Sequence, residues 1–233
     1  MQVKKIQALF KEYTTFLNTS SSERYLHLWE TQSNFLAHWD LEARDLAEML
    51  DRALQNNTTQ RIWNRQAYEP RRMLLFFADL YPDFVIQMFS DLYNEDKEIE
   101  SRIHRFTFYW DQLLEEYRNE NPYTKTNKHY HDDGYEMTSY YLSFRYPKQY
   151  IPYQLERFQA FLTSVKSREI PKAHDTTRYF KLMRTIRKLM EKEEALLASH
   201  QKRMQKLAKF EEDSLLLVFD FLLFSTRNMA YYY

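Results

Sequence analysis

The sequence predicts an all-α fold, a multi-helix bundle of about nine or ten helices. Three observations carry that expectation. Apolar residues recur at intervals of three and four along most of the chain, the period of an amphipathic helix. Only one glycine, Gly134, occurs in 233 residues, whereas tight hairpins and phosphate-cradling loops draw on glycine to reach positive φ or to admit a ligand to the backbone. Finally, 19 Tyr, 17 Phe and 4 Trp supply enough ring surface to build a core and to argue against disorder.

The elements follow in order. Val3 to Leu17 sets Val3, Ile6, Leu9, Phe10, Tyr13, Phe16 and Leu17 on one stripe, and polar residues 18–22 end it. Ser22 suits the N-cap of a second helix through Leu28, Trp29 and Phe35, and Asp40 the cap of a third through Leu46, Met49 and Leu50. Residues 55–60 read as a loop. Pro70 and Pro82 stand where proline is tolerated, at helix starts. A longer helix over 96–118 carries Ile99, Ile103, Phe106, Trp110, Leu113, Leu114 and Tyr117 on one face. Residues 119–134 hold Pro122 and the lone glycine, so they read as a linker between an N-terminal helical subdomain, 1–118, and a C-terminal one, 135–233. Helix resumes over 136–144 until Tyr146-Pro147, and Pro152 is expected to open the next. Asp175 suits the cap of one long helix with Tyr179, Met183, Ile186, Met190 and Leu197 on its apolar side, and 214–231 makes the last helix.

Several function classes drop out on composition. No P-loop, dinucleotide fingerprint or G-x-S-x-G elbow is present. The absence of cysteine removes disulfides, thiolate catalysis and Cys-based zinc sites. The N-terminus lacks the apolar run of a secretory signal, and the greasy stretch 215–224, interrupted by Asp220, is half the roughly 20 residues a membrane span needs, so a buried helix in a cytoplasmic protein with no membrane association is expected.

His129, His131, Asp132 and Asp133 form the densest set of metal-ligand types, but metal centres need further ligands from distant segments. A solvated loop, with Asp132 or Asp133 capping the helix near Tyr135, explains the string, so no metal is expected. His27, His38, His104, His174 and His200 are scattered without triad partners. No catalytic residue and no cofactor are nominated.

Charge is more informative. The chain is neutral overall, yet residues 1–118 hold 14 basic and 19 acidic side chains, and residues 119–233 hold 19 and 14. The stretch 166–209 concentrates 13 basic against 5 acidic residues. Arg178, Lys181, Arg184, Lys188 and Lys192 recur at helical spacing, and Lys202, Arg203, Lys206 and Lys209 extend the charge. Such a face suits nucleic-acid phosphates, bound without sequence information and with steep salt dependence. Arg178, Lys181, Arg184, Lys188, Lys192, Lys202, Arg203 and Lys206 are therefore the candidate DNA-binding residues. The alternative is a wet face that pairs with the acidic half. Arg71-Arg72, with Arg61, Arg65, Trp63 and Tyr68, forms a second candidate groove or simply a helix start packed by aromatics.

The strings Tyr68-Glu69-Pro70-Arg71-Arg72-Met73-Leu74-Leu75, Met88-Phe89-Ser90-Asp91-Leu92-Tyr93-Asn94-Glu95, His129-Tyr130-His131-Asp132-Asp133 and Tyr140-Tyr141-Leu142-Ser143-Phe144-Arg145-Tyr146-Pro147-Lys148-Gln149-Tyr150 resemble those found upstream of the motor in McrB-like proteins. Those are the AAA+ NTPase subunits of modification-dependent restriction systems, and the similarity covers residues 63–227. In that family the motor hydrolyses nucleotide, a partner cuts DNA and a variable N-terminal part is expected to choose the DNA. Since motor motifs are absent, the resemblance implies a non-catalytic N-terminal module of an antiphage system, with DNA and an AAA+ motor or nuclease subunit as partners. The end at Tyr231-Tyr232-Tyr233, without a helix stop signal, fits continuation into a further domain. A helical interaction or assembly module using residues 215–224 to dock a partner, without nucleic-acid binding, is the competing expectation, and homo-oligomer formation is left open by both.

Overall fold

A computed structural model describes residues 2–56, 68–132, 134–205 and 213–227. Among them run eleven α-helices and no strand: α1 (Val3–Leu17), α2 (His27–His38), α3 (Leu46–Ala53), α4 (Tyr68–Leu80), α5 (Pro82–Tyr93), α6 (Ile99–Glu120), α7 (Glu136–Arg145), α8 (Leu155–Ser164), α9 (Thr176–Met190), α10 (Glu194–Met204) and α11 (Leu216–Ser225). A 3-10 turn, Ser20–Tyr25, separates α1 from α2. The all-α expectation is met, with one or two more helices than the sequence suggested.

The centre of the bundle is α11. A helix that is apolar all round has no face to offer water, and every residue of α11 from Leu216 through Phe224 is buried, Asp220 included. It packs on α1, α8 and α9, with Phe221 meeting Phe10 at 5.0 Å and Tyr13 at 5.4 Å between ring centroids. Burying each such Leu or Phe contributes roughly 1.5–3 kcal/mol. The surface that the competing expectation assigned to partner docking is therefore already covered by the chain's own helices.

A second ring-rich layer joins α2, α5, α6 and α7. Trp39 stacks on Phe35 at 4.5 Å and meets Phe89 edge-on at 5.0 Å, while Phe89 reaches Tyr141 at 5.3 Å. Offset and edge-to-face geometry of this kind adds to area burial. Packing also runs across 119–134: α2 lies on α7, α6 on α9, and α1 on both α10 and α11. Buried apolar residues from both sides of that segment join one core.

Several helix starts differ from the sequence reading. Pro82 does open α5, and Asp175 does cap α9 by accepting the Arg178 N–H at 3.0 Å. Asp40 instead closes a turn by accepting the Glu42 N–H at 2.9 Å, and the cap of α3 is Asp45, which accepts from Glu48 at 2.8 Å. Pro152 lies three residues before α8, in chain without regular structure, rather than opening it. Among the described residues no Asp caps α7, Asp132 included, and Asp133 lies outside them: the N-cap is Tyr135, at φ +74 directly after Gly134 at φ +69, with no side-chain cap bond. Two consecutive left-handed residues aim the chain into α7, and only one of them is the residue that reaches this region without strain.

The long helix expected from Asp175 is two helices. The stripe Tyr179, Met183, Ile186, Met190 would next need apolar residues near 193 and 194, but both are glutamates. The inward face ends, the chain turns with Glu193 N–H bonded to Met190 O at 2.9 Å, and α10 restarts with Leu196, His200, Arg203 and Met204 buried. Thus α9 rests on α6 and α11, whereas α10 rests on α1.

Candidate nucleic-acid interface

The apolar side of α9, formed by Tyr179, Phe180, Met183, Ile186 and Met190, is buried. At 100° per residue, Arg178, Lys181, Arg184 and Lys188 fall within about a third of the opposite circumference, and they extend along about 15 Å of the axis. Lys181, Arg184 and Lys188 are exposed, Arg178 is half-buried, and Lys192 is exposed in the turn after the helix. Arg178 Nη2 donates to Glu169 O at 2.9 Å and Arg184 Nη1 to Gln149 O at 3.1 Å. These bonds to backbone carbonyls hold the two guanidiniums in place, and among the described residues neither has an ion-pair partner.

The side chains of Lys181, Lys188 and Lys192 have no hydrogen bond or ion pair among the described residues. The described ion pairs made by basic residues from 166 to 205 go to Glu191, Asp213 and Asp220, all from the same half of the chain. Pairing with the acidic N-terminal half therefore does not account for this face. Lys202 is also exposed, but on α10, which packs on α1 rather than beside the α9 cluster. Lys206 and Lys209 lie outside the described residues.

Arg203 must be withdrawn from the candidate DNA-binding residues. It is buried and ion-paired with Asp220, the charged residue set in α11, with side chains 2% and 0% exposed. Its Nη1 also donates to Ser22 O at 2.9 Å, its Nη2 lies 3.0 Å from His200 Nδ1, and the guanidinium sits 5.4 Å from the Trp29 ring centroid. Tyr13 OH completes the cluster by donating to Asp220 Oδ2 at 2.8 Å. Burial is the largest influence and disfavours the Arg203 charge, but Asp220 and Tyr13 together more than offset it and raise the guanidinium's pKa. Burial, aided by Arg203, pushes the His200 imidazole down to about 3, so it is neutral.

The histidine string is likewise not a solvated loop. His131 is fully buried and His129 nearly so, and the His131 ring lies 3.7 Å from that of Trp110 at an interplanar angle of 8°. Hydrogen bonding fixes the tautomers. His129 Nδ1 accepts the His131 N–H at 3.0 Å, so Nε2 donates to Asp111 Oδ1 at 3.0 Å. His131 Nδ1 donates to His129 O at 2.8 Å, so Nε2 accepts from Tyr141 OH at 3.0 Å. All four ring nitrogens are thereby occupied, which explains the burial without an ion. Burial drives the His131 pKa well below the usual imidazole value. No group of three or more His, Cys, Asp or Glu suited to a metal occurs among the described residues; Asp133 lies outside them.

The second candidate groove is also less open than the sequence suggested. Arg71 pairs with Asp51, and Arg72 Nη2 lies 2.6 Å from Glu69 Oε2. Arg61, Trp63 and Arg65 lie outside the described residues. Sequence reasoning missed a third cluster, beside α9: Lys148 and Arg187 share Asp213, at 2.7 and 3.4 Å. Arg187 belongs to the basic run, but nothing in the spacing brings Lys148 or Asp213 to it.

No described helix is long and apolar enough to cross a membrane. Comparison with protein-family models, curated proteins and solved structures finds no match to this chain.

Proposed function

We propose that this chain is a non-catalytic, DNA-binding helical module whose α9 face grips the phosphate backbone. The observation that carries the reading is the set of exposed lysines, Lys181, Lys188 and Lys192, without partners among the described residues and aligned with Arg178 and Arg184. Like charges gathered on one face repel one another, and a polyanion relieves that repulsion while releasing its own counterions. The face is one helix wide and combines lysines unpaired among the described residues with two arginines held by backbone carbonyls, Arg178 and Arg184, which suits positioning on a duplex rather than base readout. With the resemblance to McrB-like proteins, this gives a cytoplasmic antiphage setting in which a separate AAA+ motor and nuclease act on the DNA that the module holds.

The test is a fluorescence titration of labelled duplexes, methylated and unmodified, over a series of salt concentrations. Wild-type binding should weaken linearly in log–log form, and Lys181→Glu/Lys188→Glu should flatten the slope by roughly 0.9 for each phosphate no longer neutralised. A chain that binds neither duplex at low salt, yet forms a sharp dimer by light scattering, would make it an assembly module instead.

A further inference from the structure

Asp213 sits in an unusual position for a surface carboxylate. It enters the basic region just before α11, where the Leu215 N–H is bonded to Pro147 O at 2.8 Å, so the chain segment that carries it is pinned to the turn that carries Lys148. One carboxylate oxygen lies 2.7 Å from Lys148 Nζ and the other 3.4 Å from Arg187 Nη2. Arg184 ties the same turn to α9 through Gln149 O at 3.1 Å. Two anionic oxygens thus bridge an ammonium and a guanidinium, the arrangement in which a phosphodiester engages the same pair of groups.

We infer that Lys148 and Arg187 form a second DNA-phosphate subsite beside the α9 lysines, and that the Asp213 carboxylate occupies it as an internal stand-in for phosphate. This rests on the phosphate-binding reading of α9. Arg187 lies three residues beyond Arg184, about 5 Å along the axis and about 60° around it, so it flanks the basic stripe of α9 on the side nearer the core. The Lys148 hydrogen bond, before the charges of Lys148 and Arg187, holds the Asp213 carboxyl below its ordinary range, so the stand-in stays ionised. Side-chain exposures of 68% for Lys148 and 64% for Asp213 put the pair in screened surroundings, where ion pairs exchange easily. Asp213 therefore competes with DNA for the subsite and moderates affinity without blocking it.

The test compares wild type, Asp213→Asn, and Asp213→Asn/Lys148→Gln in the same duplex titration, with circular dichroism to show that each is folded. Asp213→Asn should bind severalfold tighter at low salt, with a salt slope steeper by about 0.9 for each additional phosphate engaged. Adding Lys148→Gln should cancel most of that increase. Because Arg187 is largely covered, Lys148 is the partner to replace. Wild type that fails to bind duplex at low salt overturns the α9 reading itself. Wild type that binds, with Asp213→Asn unchanged or with its tighter binding surviving Lys148→Gln, overturns the subsite alone, since the effect would then be absent or merely long-range charge.

Discussion

Replacing Arg203 by methionine removes the cation from a cluster that has no access to water. The Asp220 carboxylate would keep only the Tyr13 hydroxyl of its two described partners, and Ser22 O and His200 Nδ1 would each lose a donor. Breaking a buried pair from one side costs about 3–5 kcal/mol, because the remaining charge stays desolvated. For a chain of this size each kcal/mol moves Tm by about 2–4 °C, so Arg203→Met should melt roughly 6–20 °C below wild type. Arg203→Met/Asp220→Leu removes both charges and should recover most of the loss, since an apolar pair of similar volume is often neutral or stabilising in place of a buried ion pair. Thermal unfolding followed by circular dichroism reads both, and a double-mutant cycle gives the coupling. DNA affinity, measured below the melting range, should be unchanged in the double variant. An Arg203→Met protein as stable as wild type but weaker on DNA would refute the assignment of Arg203 to the core.

Two further outcomes follow from the same packing. His200 titrates near 3 when folded, against about 6.5 unfolded; its folded value is depressed, so its neutral form stabilises the fold above pH 6.5 and that contribution is lost as pH falls below it. Denaturant titrations between pH 6.5 and 5 should show stability dropping by about 1 kcal/mol per pH unit on average for this histidine, steepening toward about 1.4 at the acidic end, with His131 adding in the same direction, and His200→Gln should make the slope shallower. Gly134→Ala places a Cβ at φ +69 and 3.4 Å from His174 Cε1, so it should cost about 1–2 kcal/mol in chemical denaturation; an unchanged midpoint would mean the turn is not held left-handed.

The features legible in the sequence have local causes. Asp175 announces the start of α9 because a cap needs only its own first turn, and 215–224 announces burial because almost no face of it is polar. Asp220 within that run also signals that a buried cation must exist, since an isolated carboxylate in a core is too costly to keep. The identity of that cation is hidden: in an unbroken helix Arg203 falls on the basic stripe, and only the turn at 191–193 rotates it inward. His129 and His131 resemble loop residues because polarity in sequence does not reveal that each ring nitrogen finds a partner. Lys148, Arg187 and Asp213 come from three separate segments, and nothing in local spacing joins them. By contrast, Lys181 and Lys188 need only the helical period to be placed together on the outer side of α9.

The position of α11 also governs when the molecule can assemble. Tyr13 waits for an acceptor 207 residues further on, and α1 rests on α10 and α11, so the earliest of these helices to leave the ribosome is among the last to find its neighbours. Closing so long a loop comes late in folding and slows it. During synthesis the stripe of Ile6, Phe10, Tyr13 and Leu17 is an adhesive surface in need of shelter, and release of the nascent chain before α11 emerges would leave a bundle without its central rod.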